Sequence, residues 1–345
     1  MKIKKILALL LVFAMLFSLA ACSGAENDKD DEKEPASNSG SKPGNNEPGK
    51  NDENDQDDDD DSTGLENLIP VDVYLMTASM EGDDTTQYTY DKNGNLIQRI
   101  HFEDNEEERR YEYEHDSKGN VIKETYYREG ELRSSYTYEY NKDGNVTLEV
   151  YFYKGEEKSR TTYEYDADGK LAGSLTVEDG TDDVRLECEY DDKGNLTTET
   201  YSSNGVVTAY TKYFYTLDGK VSGVVNYEND VQVSSYDSIY NVQGMLSMYE
   251  TYLNGVHSYR TQYFYNSKNN IEKEVRFDYL SDIDQYITYA YDSNGCRIGA
   301  SYESEQYGNK TVEEYMYQYQ KMTLNKATAE KLQELHGNAL VVIAE

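Results

Sequence analysis

Gly94, Gly119, Gly144, Gly169, Gly194, Gly219 and Gly244 stand at a constant interval of 25 residues; Asn269 takes the next place and Gly295 arrives one residue late. Each lies in the frame Tyr-x-Tyr-[Asp/Asn]-x-x-Gly-[Asn/Lys]-[Leu/Val], as in Tyr138-Glu-Tyr-Asn-Lys-Asp-Gly144-Asn-Val146 and Tyr163-Glu-Tyr-Asp-Ala-Asp-Gly169-Lys-Leu171. A period of this length is the mark of a repeat array, in which each unit buries its apolar face only against its neighbours. A second turn position follows eleven residues after the first, at Asn105, Gly130, Gly155, Gly180, Gly205, Asp230 and Gly255. Two turns per period leave room for two strands of about eight to ten residues. The expected fold is therefore all-β: a repeat protein of about nine 25-residue β-hairpins, forming one long antiparallel, coiled or spiral sheet of about 18 strands.

The turn residues carry their own reason. Asp or Asn at the first position caps a type I turn with its side chain, and glycine follows where φ must be positive. Gly94, Gly119, Gly144, Gly169, Gly194, Gly219, Gly244 and Gly295 are the structural turn glycines on this reading. A type I turn with a G1 bulge pairs Tyr140 with Val146, and continuing that register pairs Tyr138 with Leu148 and Tyr136 with Val150. In the next unit it sets Tyr165 against Leu171 and Thr161 against Leu175. The alternation then gives each strand one tyrosine-rich aliphatic face and one Thr/Glu/Lys face. No amphipathic helix lies within 65–320 to cover the first face, so the sheet is expected to curl around it into a spiral, trough or open cylinder.

The array needs different ends. Val71 to Ser79 reads as an edge strand and Glu313 to Tyr319 as the last strand. Lys326 to Leu335 has helical composition and stops at His336-Gly337, which makes a small helix near the C-terminus. With the short apolar run from Ala339 to Ile343 it forms a cap on the open edge. The organisation is a signal peptide at 1–21, a lipid-anchored acidic disordered tether at 22–64, the repeat domain at 65–320 and a C-terminal cap at 321–345.

The first two of those segments rest on charge. Lys2, Lys4 and Lys5 precede an apolar run from Ile6 to Ala21, too short and wrongly flanked for a spanning helix. Residues 25–62 carry 15 acids and four lysines with no aromatic residue, so they cannot bury enough apolar surface to offset their ordering entropy. The whole chain has a formal charge of −34, which excludes a basic groove for nucleic acid.

Side chains that could carry chemistry are scattered. His101, His115, His257 and His336 fall in different units, without metal-ligand spacing. Cys188 fills a tyrosine position as a small apolar substitute, and Cys296, next to a turn glycine, is expected at the surface. The two lie too far apart across the sheet for a disulfide. The aspartates around Gly169 and Gly194 resemble fragments of calcium loops, but too few oxygens converge and turn formation accounts for them. The reading is of no enzyme, no cofactor and no metal. Of 36 tyrosines, those four and six residues before each glycine are assigned to the core. Tyr126, Tyr151, Tyr201 and Tyr210 fall off that face and are the candidate ligand contacts, since an exposed tyrosine can stack on a sugar ring.

Two resemblances follow from the motifs. Leu19-Ala20-Ala21-Cys22 resembles the bacterial lipobox, which implies that Cys22 is lipidated and becomes the first residue of an envelope lipoprotein. The Tyr-x-Tyr-Asp-x-x-Gly-Asn-Leu units resemble the YD repeats of the RHS family, and Arg109-Arg-Tyr111-Glu-Tyr113 is similar to the lead-in of that repeat. In that family the sheets spiral into shells around toxin domains or display ligand-binding surfaces. Here His115, Cys188 and Ser238 depart from the tyrosine pattern, and no self-cleaving core or toxin tail accompanies the repeats. The expected function is a membrane-anchored, extracytoplasmic, non-enzymatic interaction or scaffold lipoprotein, monomeric, with an unidentified protein or glycan ligand. The alternative is a carbohydrate- or cell-wall-binding lipoprotein in polysaccharide handling. Ser23, in place of an aspartate after Cys22, favours the outer face of a Gram-positive membrane.

Overall fold

The structure, a computed structural model, describes residues 70–178 and 183–344. Cys22 and the expected signal peptide and tether up to residue 64 lie outside the described residues.

The described chain is all-β with one helix. Strand β1 (Pro70–Glu81) is followed by β2 (Asp84–Tyr90) and β3 (Leu96–Glu103), and the meander continues through β6 (Glu131–Tyr140), β7 (Val146–Tyr153) and β8 (Glu156–Tyr165) to β19 (Arg297–Gln306) and β20 (Asn309–Asn325). Each strand pairs antiparallel with the next. The sheet does not stay open. One side of β1 pairs with β2, through Ala78↔Gln87 to Glu81↔Asp84. Its other side pairs with β20 along its length, from Pro70↔Asn325 to Glu81↔Tyr315. The expected coiled or spiral sheet is therefore a closed barrel of 20 strands. An open array of this length would leave two long edges with unpaired N–H and C=O groups; closure removes both. The segment read as an edge strand is the one that closes the ring.

The turns alternate between the two rims. At one rim the Asp-x-x-Gly turns close with Gly144 N–H donating to the Asn141 carbonyl at 3.2 Å and Gly169 N–H to that of Asp166 at 3.1 Å. All eight turn glycines have positive φ, from 77° at Gly244 to 88° at Gly144, and Asn269 does the same work at 61°. In the two-residue turns from Asp104-Asn105 to Asn254-Gly255 at the other rim both central residues have positive φ where described, for example Lys154 at 51° and Gly155 at 85°, which is the type I′ geometry that suits the twist of a two-residue hairpin. Gly180 lies outside the described residues.

The register differs from the expected one in an instructive way. Tyr140 does face Val146, and Tyr165 faces Leu171. Immediately beyond, one extra residue enters the second strand, so that Leu148 pairs with Glu139, Glu149 with Tyr138 and Tyr151 with Tyr136. Likewise Tyr163 faces Ser174, and Thr161 faces Thr176 rather than Leu175. Because side chains alternate with period two, that single bulge exchanges the faces of the second strand. The tyrosine face carries Glu149 and Tyr151, while Leu148, Val150 and Phe152 lie on the opposite one with Glu139 and Thr137.

The tyrosine face is the inside of the ring. Its carboxyls, at Glu124, Glu149 and Glu199, are pushed up by desolvation. On the opposite face Phe214, Ile239 and Phe264 stand 51 %, 45 % and 48 % exposed. That outer wall carries exposed cross-strand ion pairs such as Lys123–Glu114 and Arg185–Glu164. Long cationic stems cover what apolar surface it has, with Arg110 over Tyr127 at 4.2 Å and Arg260 over Phe277 at 4.6 Å.

The first and last strands run past the barrel at the Asp-x-x-Gly rim. There β21 (Val341–Ile343) adds to β1, pairing Val73 with Ile343. The C-terminal helix (Lys326–Leu340) packs on this extension, with Val73, Leu75, Ala329, Leu332 and Val341 fully buried between them. Asn325 caps it, accepting from the Thr328 N–H at 2.8 Å, and Gly337 breaks it with φ 74°. Lys331 ties the helix to the neighbouring turn through the Lys118 carbonyl at 2.8 Å. The helix thus rests on the rim of a closed ring rather than on an open edge.

Candidate functional site: the inner wall

Three belts of side chains line the inside, each set by distance from the turn glycine. The first lies four residues before it. Tyr140 donates its hydroxyl to the Val121 carbonyl at 2.6 Å, Tyr165 to Val146 at 2.7 Å and Tyr190 to Leu171 at 2.9 Å. Tyr215, Tyr240, Tyr265 and Tyr291 repeat the bond to Leu196, Val221, Leu246 and Ile271. The bulge is the cause. Val146 pairs back to Tyr140, but the ladder to the next strand starts only at Leu148↔Thr162, so the Val146 carbonyl has no backbone partner on that side. The tyrosine of the next unit supplies the missing donor. These hydroxyls are latches between units and not a free recognition surface.

The second belt lies six residues before the glycine, and the third five after it; the pairing sets them side by side. Tyr138 faces Glu149, Cys188 faces Glu199 and Tyr263 faces Glu274. Desolvation raises the Glu149 carboxyl, with the like charge of Glu124 adding to it. The same burial raises Glu199, against hydrogen bonds from Tyr213 at 2.6 Å and Tyr201 at 3.5 Å. Glu274 is 6 % exposed and accepts from Tyr289 at 2.7 Å and Arg276 at 2.6 Å. Tyrosines respond in the same direction: desolvation pushes Tyr113, Tyr136 and Tyr263 up to about 12, with Glu124, Glu149 and Glu274 adding to it and Arg99 opposing it at Tyr113. The inner wall holds protonated phenols beside the carboxyls of Glu124, Glu149 and Glu199, which retain their protons more readily than usual.

Of the four candidate ligand contacts, Tyr126, Tyr151 and Tyr201 stand on the inner wall rather than off it. Tyr126 stacks on Tyr111 at 4.8 Å, and Tyr151 meets Tyr136 in a tilted contact at 4.8 Å. Tyr210 alone is on the outer wall, stacked on Tyr227 at 4.5 Å beside Lys212. Cys188 is half-buried in its tyrosine slot and its thiol is pushed up to about 12, mainly by desolvation. Cys296, expected at the surface, is 1 % exposed, with its thiol raised to about 11 by burial. Both cysteines are free, and both are weak nucleophiles in this state. The histidines are dispersed: His101 meets Thr86 at 3.1 Å, His257 stacks between Tyr252 and Tyr279, and His115 lies towards His336 of the helix. Among the described residues no three His, Cys, Asp or Glu side chains converge as a metal site would require. A shallow cleft of about 630 Å³ at the type I′ rim is lined by Glu81, Asp83, Asp84, Glu313 and Glu314, around Gly82 and Val312.

The carboxylate belt and the latch were both missed by sequence reasoning. The column Arg99, Glu124, Glu149, Glu199 and Glu274 is visible once the units are aligned, but without the bulge it reads as the solvent face.

The class defined by these observations is a closed antiparallel barrel built from hairpin repeats. No family model matches the chain, and no curated protein matches it. Among solved structures it is similar to a porin-like protein from Bacteroides uniformis, at 10 % identity and a TM-score of 0.29 over 74 % of this chain and 97 % of that one. It is similar also to a porin-like protein from Bacteroides vulgatus, at 12 % identity and a TM-score of 0.26 over 72 % and 99 %.

Proposed function

We propose that the chain is a lipid-anchored, non-enzymatic interaction or scaffold protein of the cell envelope, built on YD-type repeats, whose barrel stands in water at the end of an acidic tether. The observation that carries this reading is the charged outer wall. Arg110–Glu112 and Arg185–Glu187 face outwards in mid-barrel, and Lys123–Glu114 nearer the Asp-x-x-Gly rim. A charge on the lipid face of a spanning barrel costs about 2–4 kcal/mol at the midplane. Attachment then falls to Cys22, in its Leu-Ala-Ala-Cys context, and the barrel is displayed outside the cytoplasm, on a Gram-positive membrane by the Ser23 argument. Cys22→Ser is expected to move the protein from the membrane fraction to the medium or leave it unprocessed. Recovery of an acylated mutant in the detergent phase would defeat the reading.

A second reading, a carbohydrate- or wall-binding lipoprotein, is favoured by one observation: Tyr126, Tyr151 and Tyr201 share the inner wall with carboxyls that can bond sugar hydroxyls. Binding of the whole chain to purified wall glycans, lost in Tyr126→Ala and Tyr151→Ala, would select it over a protein partner.

A further inference from the structure

The inward carboxyls Glu124, Glu149, Glu199 and Glu274 all stand five residues after the turn glycine, or after Asn269 in its place. Two residues further along the same face come Tyr126, Tyr151 and Tyr201 in three of these units, and Arg276 in the fourth. There the wall provides its own cation. Arg276 donates to one Glu274 oxygen through Nε at 3.0 Å and Nη2 at 2.6 Å, and the other oxygen accepts from the Tyr289 hydroxyl at 2.7 Å. Glu124 and Glu149, in adjacent units, have a tyrosine where that arginine would be. Among the described residues no cation lies within ion-pair distance of either. Glu124 feels Arg99, which rests over Tyr111 at 4.2 Å, and Glu149 feels the like charge of Glu124. The pairing gathers both acids into one aromatic patch: Glu124 faces Tyr136, Tyr136 faces Tyr151, and Tyr138 faces Glu149. The Tyr136 and Tyr138 rings lie 6.3 Å apart and nearly parallel, at 13°. All of these side chains are half-buried, so one side of the patch is open to the space inside the ring.

Closed rings of about 16 strands already leave an aqueous channel, and this ring is larger, so a polymer can reach the patch. We infer that the patch takes a glycan whose amino sugars carry free, unacetylated amino groups: the half-exposed rings of Tyr126 and Tyr151 stack on the sugars, and Glu124 and Glu149 accept from their ammonium groups. The inference rests on the carbohydrate-binding reading and names the class of sugar. An ammonium does at these acids what the Arg276 guanidinium does at Glu274, making a charge-assisted hydrogen bond that offsets a partly desolvated negative charge. A neutral sugar hydroxyl satisfies the acceptor but leaves the charge uncompensated, and an acidic glycan is repelled. The spacing selects among cationic polymers. Adjacent units repeat the acid and the tyrosine after two strand spacings, about 10 Å. One face of an extended peptide presents side chains every ~7 Å, out of step with that repeat. An extended glycan presents equivalent faces at every second sugar ring, a step of the same size as the unit, and those faces are what tyrosine rings cover.

The test is calorimetric titration of the whole chain with the hexamer of glucosamine and with that of N-acetylglucosamine. It is run at about pH 6, where an amino group is protonated and an ordinary carboxyl is ionised. The glucosamine hexamer is expected to bind about tenfold more tightly, the difference made by a hydrogen bond to a charged group. Glu124→Gln with Glu149→Gln should abolish that preference without lowering the melting temperature, because glutamine keeps the shape and the hydrogen-bonding capacity. Tyr126→Ala with Tyr151→Ala should weaken both hexamers alike, and Glu164→Gln, on the outer wall, should weaken neither. Equal affinity for the two hexamers, insensitive to the glutamine pair, overturns the inference and leaves the carbohydrate-binding reading standing. Hexa-arginine bound as tightly as the glucosamine hexamer, and lost in the same glutamine pair, would make the patch a site for cationic peptides and overturn it as well. If neither hexamer binds, the inference and the reading beneath it fall together.

Discussion

Gly169 holds φ at 79°, and no atom lies within 4 Å of the place a Cβ would take. Gly169→Ala therefore isolates backbone strain from packing. It is expected to cost about 1–2 kcal/mol, the price of left-handed backbone for an L-residue. Lys170→Ala, one residue on, should change little, and equal denaturant midpoints for the two would contradict the turn assignment. Tyr165 isolates the latch in the same way. Tyr165→Phe keeps the ring and removes only the donor to the Val146 carbonyl at 2.7 Å. The expected loss is about 1 kcal/mol, together with faster amide exchange where the 146–148 segment meets Thr162. A mutant with unchanged melting would show that solvent satisfies that carbonyl just as well.

At the scale of the element, the C-terminal helix is where pH should act first. Desolvation lowers the His336 imidazole below its usual range, and the neighbouring His115 lowers it further. His115 is itself lowered by burial, against the pull of Asp91 and Asp116. A histidine depressed in the folded state binds more protons when unfolded, so the docked helix loses stability as pH falls below the ordinary imidazole value of 6.5. Hydrogen exchange over residues 326–340, corrected for intrinsic rates, should show lower protection at pH 5.5 than at pH 7.5, with distant hairpins little affected. His336→Gln should remove the difference, and an unaltered pH response in that mutant would point to another group. The helix, its stop at Gly337, the hairpin unit, the Asp-x-x-Gly turn and the position of the second turn were legible in the sequence, because each depends on local backbone preference; the type I′ geometry of the second turn was not read. The bulge after each Asp-x-x-Gly turn was not legible. It inserts no special residue type: the extra residue is Thr147 in one unit and Thr197 in another, as unremarkable as any strand residue. Its signature is the tyrosine of the following unit, a contact across strands that no single hairpin displays. Missing it moved Tyr126, Tyr151 and Tyr201 to the wrong face and hid the carboxyl belt.

For the whole molecule the consequence of closure is that one face of every strand is turned inwards, acids included. The sequence shows a repeat but not whether its ends meet, since Asp72 and Thr323 are joined only by the pairing of β1 with β20. Closure places Glu124 and Glu149 in neighbouring units of a partly desolvated wall, and both carboxyls rise above the ordinary 4.5. A carboxyl raised in the folded state holds its proton more firmly there than in the unfolded chain. The penalty it imposes is therefore full at neutral pH and fades as pH falls through the folded value towards 4.5. The rim aspartates work the other way. Asn195 and two backbone N–H groups hold Asp191 below 3.8, and Lys220 and Thr216 hold Asp218 at about 2, so their contribution is lost only below about pH 4. Between these limits the barrel should be more stable at mildly acid than at neutral pH, helped by the decline of a net charge of −34. Glu149→Gln tests the inner-wall part alone. It preserves shape and hydrogen-bonding capacity while removing the ionisable group, so it should raise the melting temperature at pH 7.5 and make no difference at pH 4. The same substitution at Glu164, exposed on the outer wall, should shift neither. A Glu149→Gln protein that melts with the parent at both pH values would mean that water reaches this carboxyl freely, and the inner face would then be as wet as the outer one.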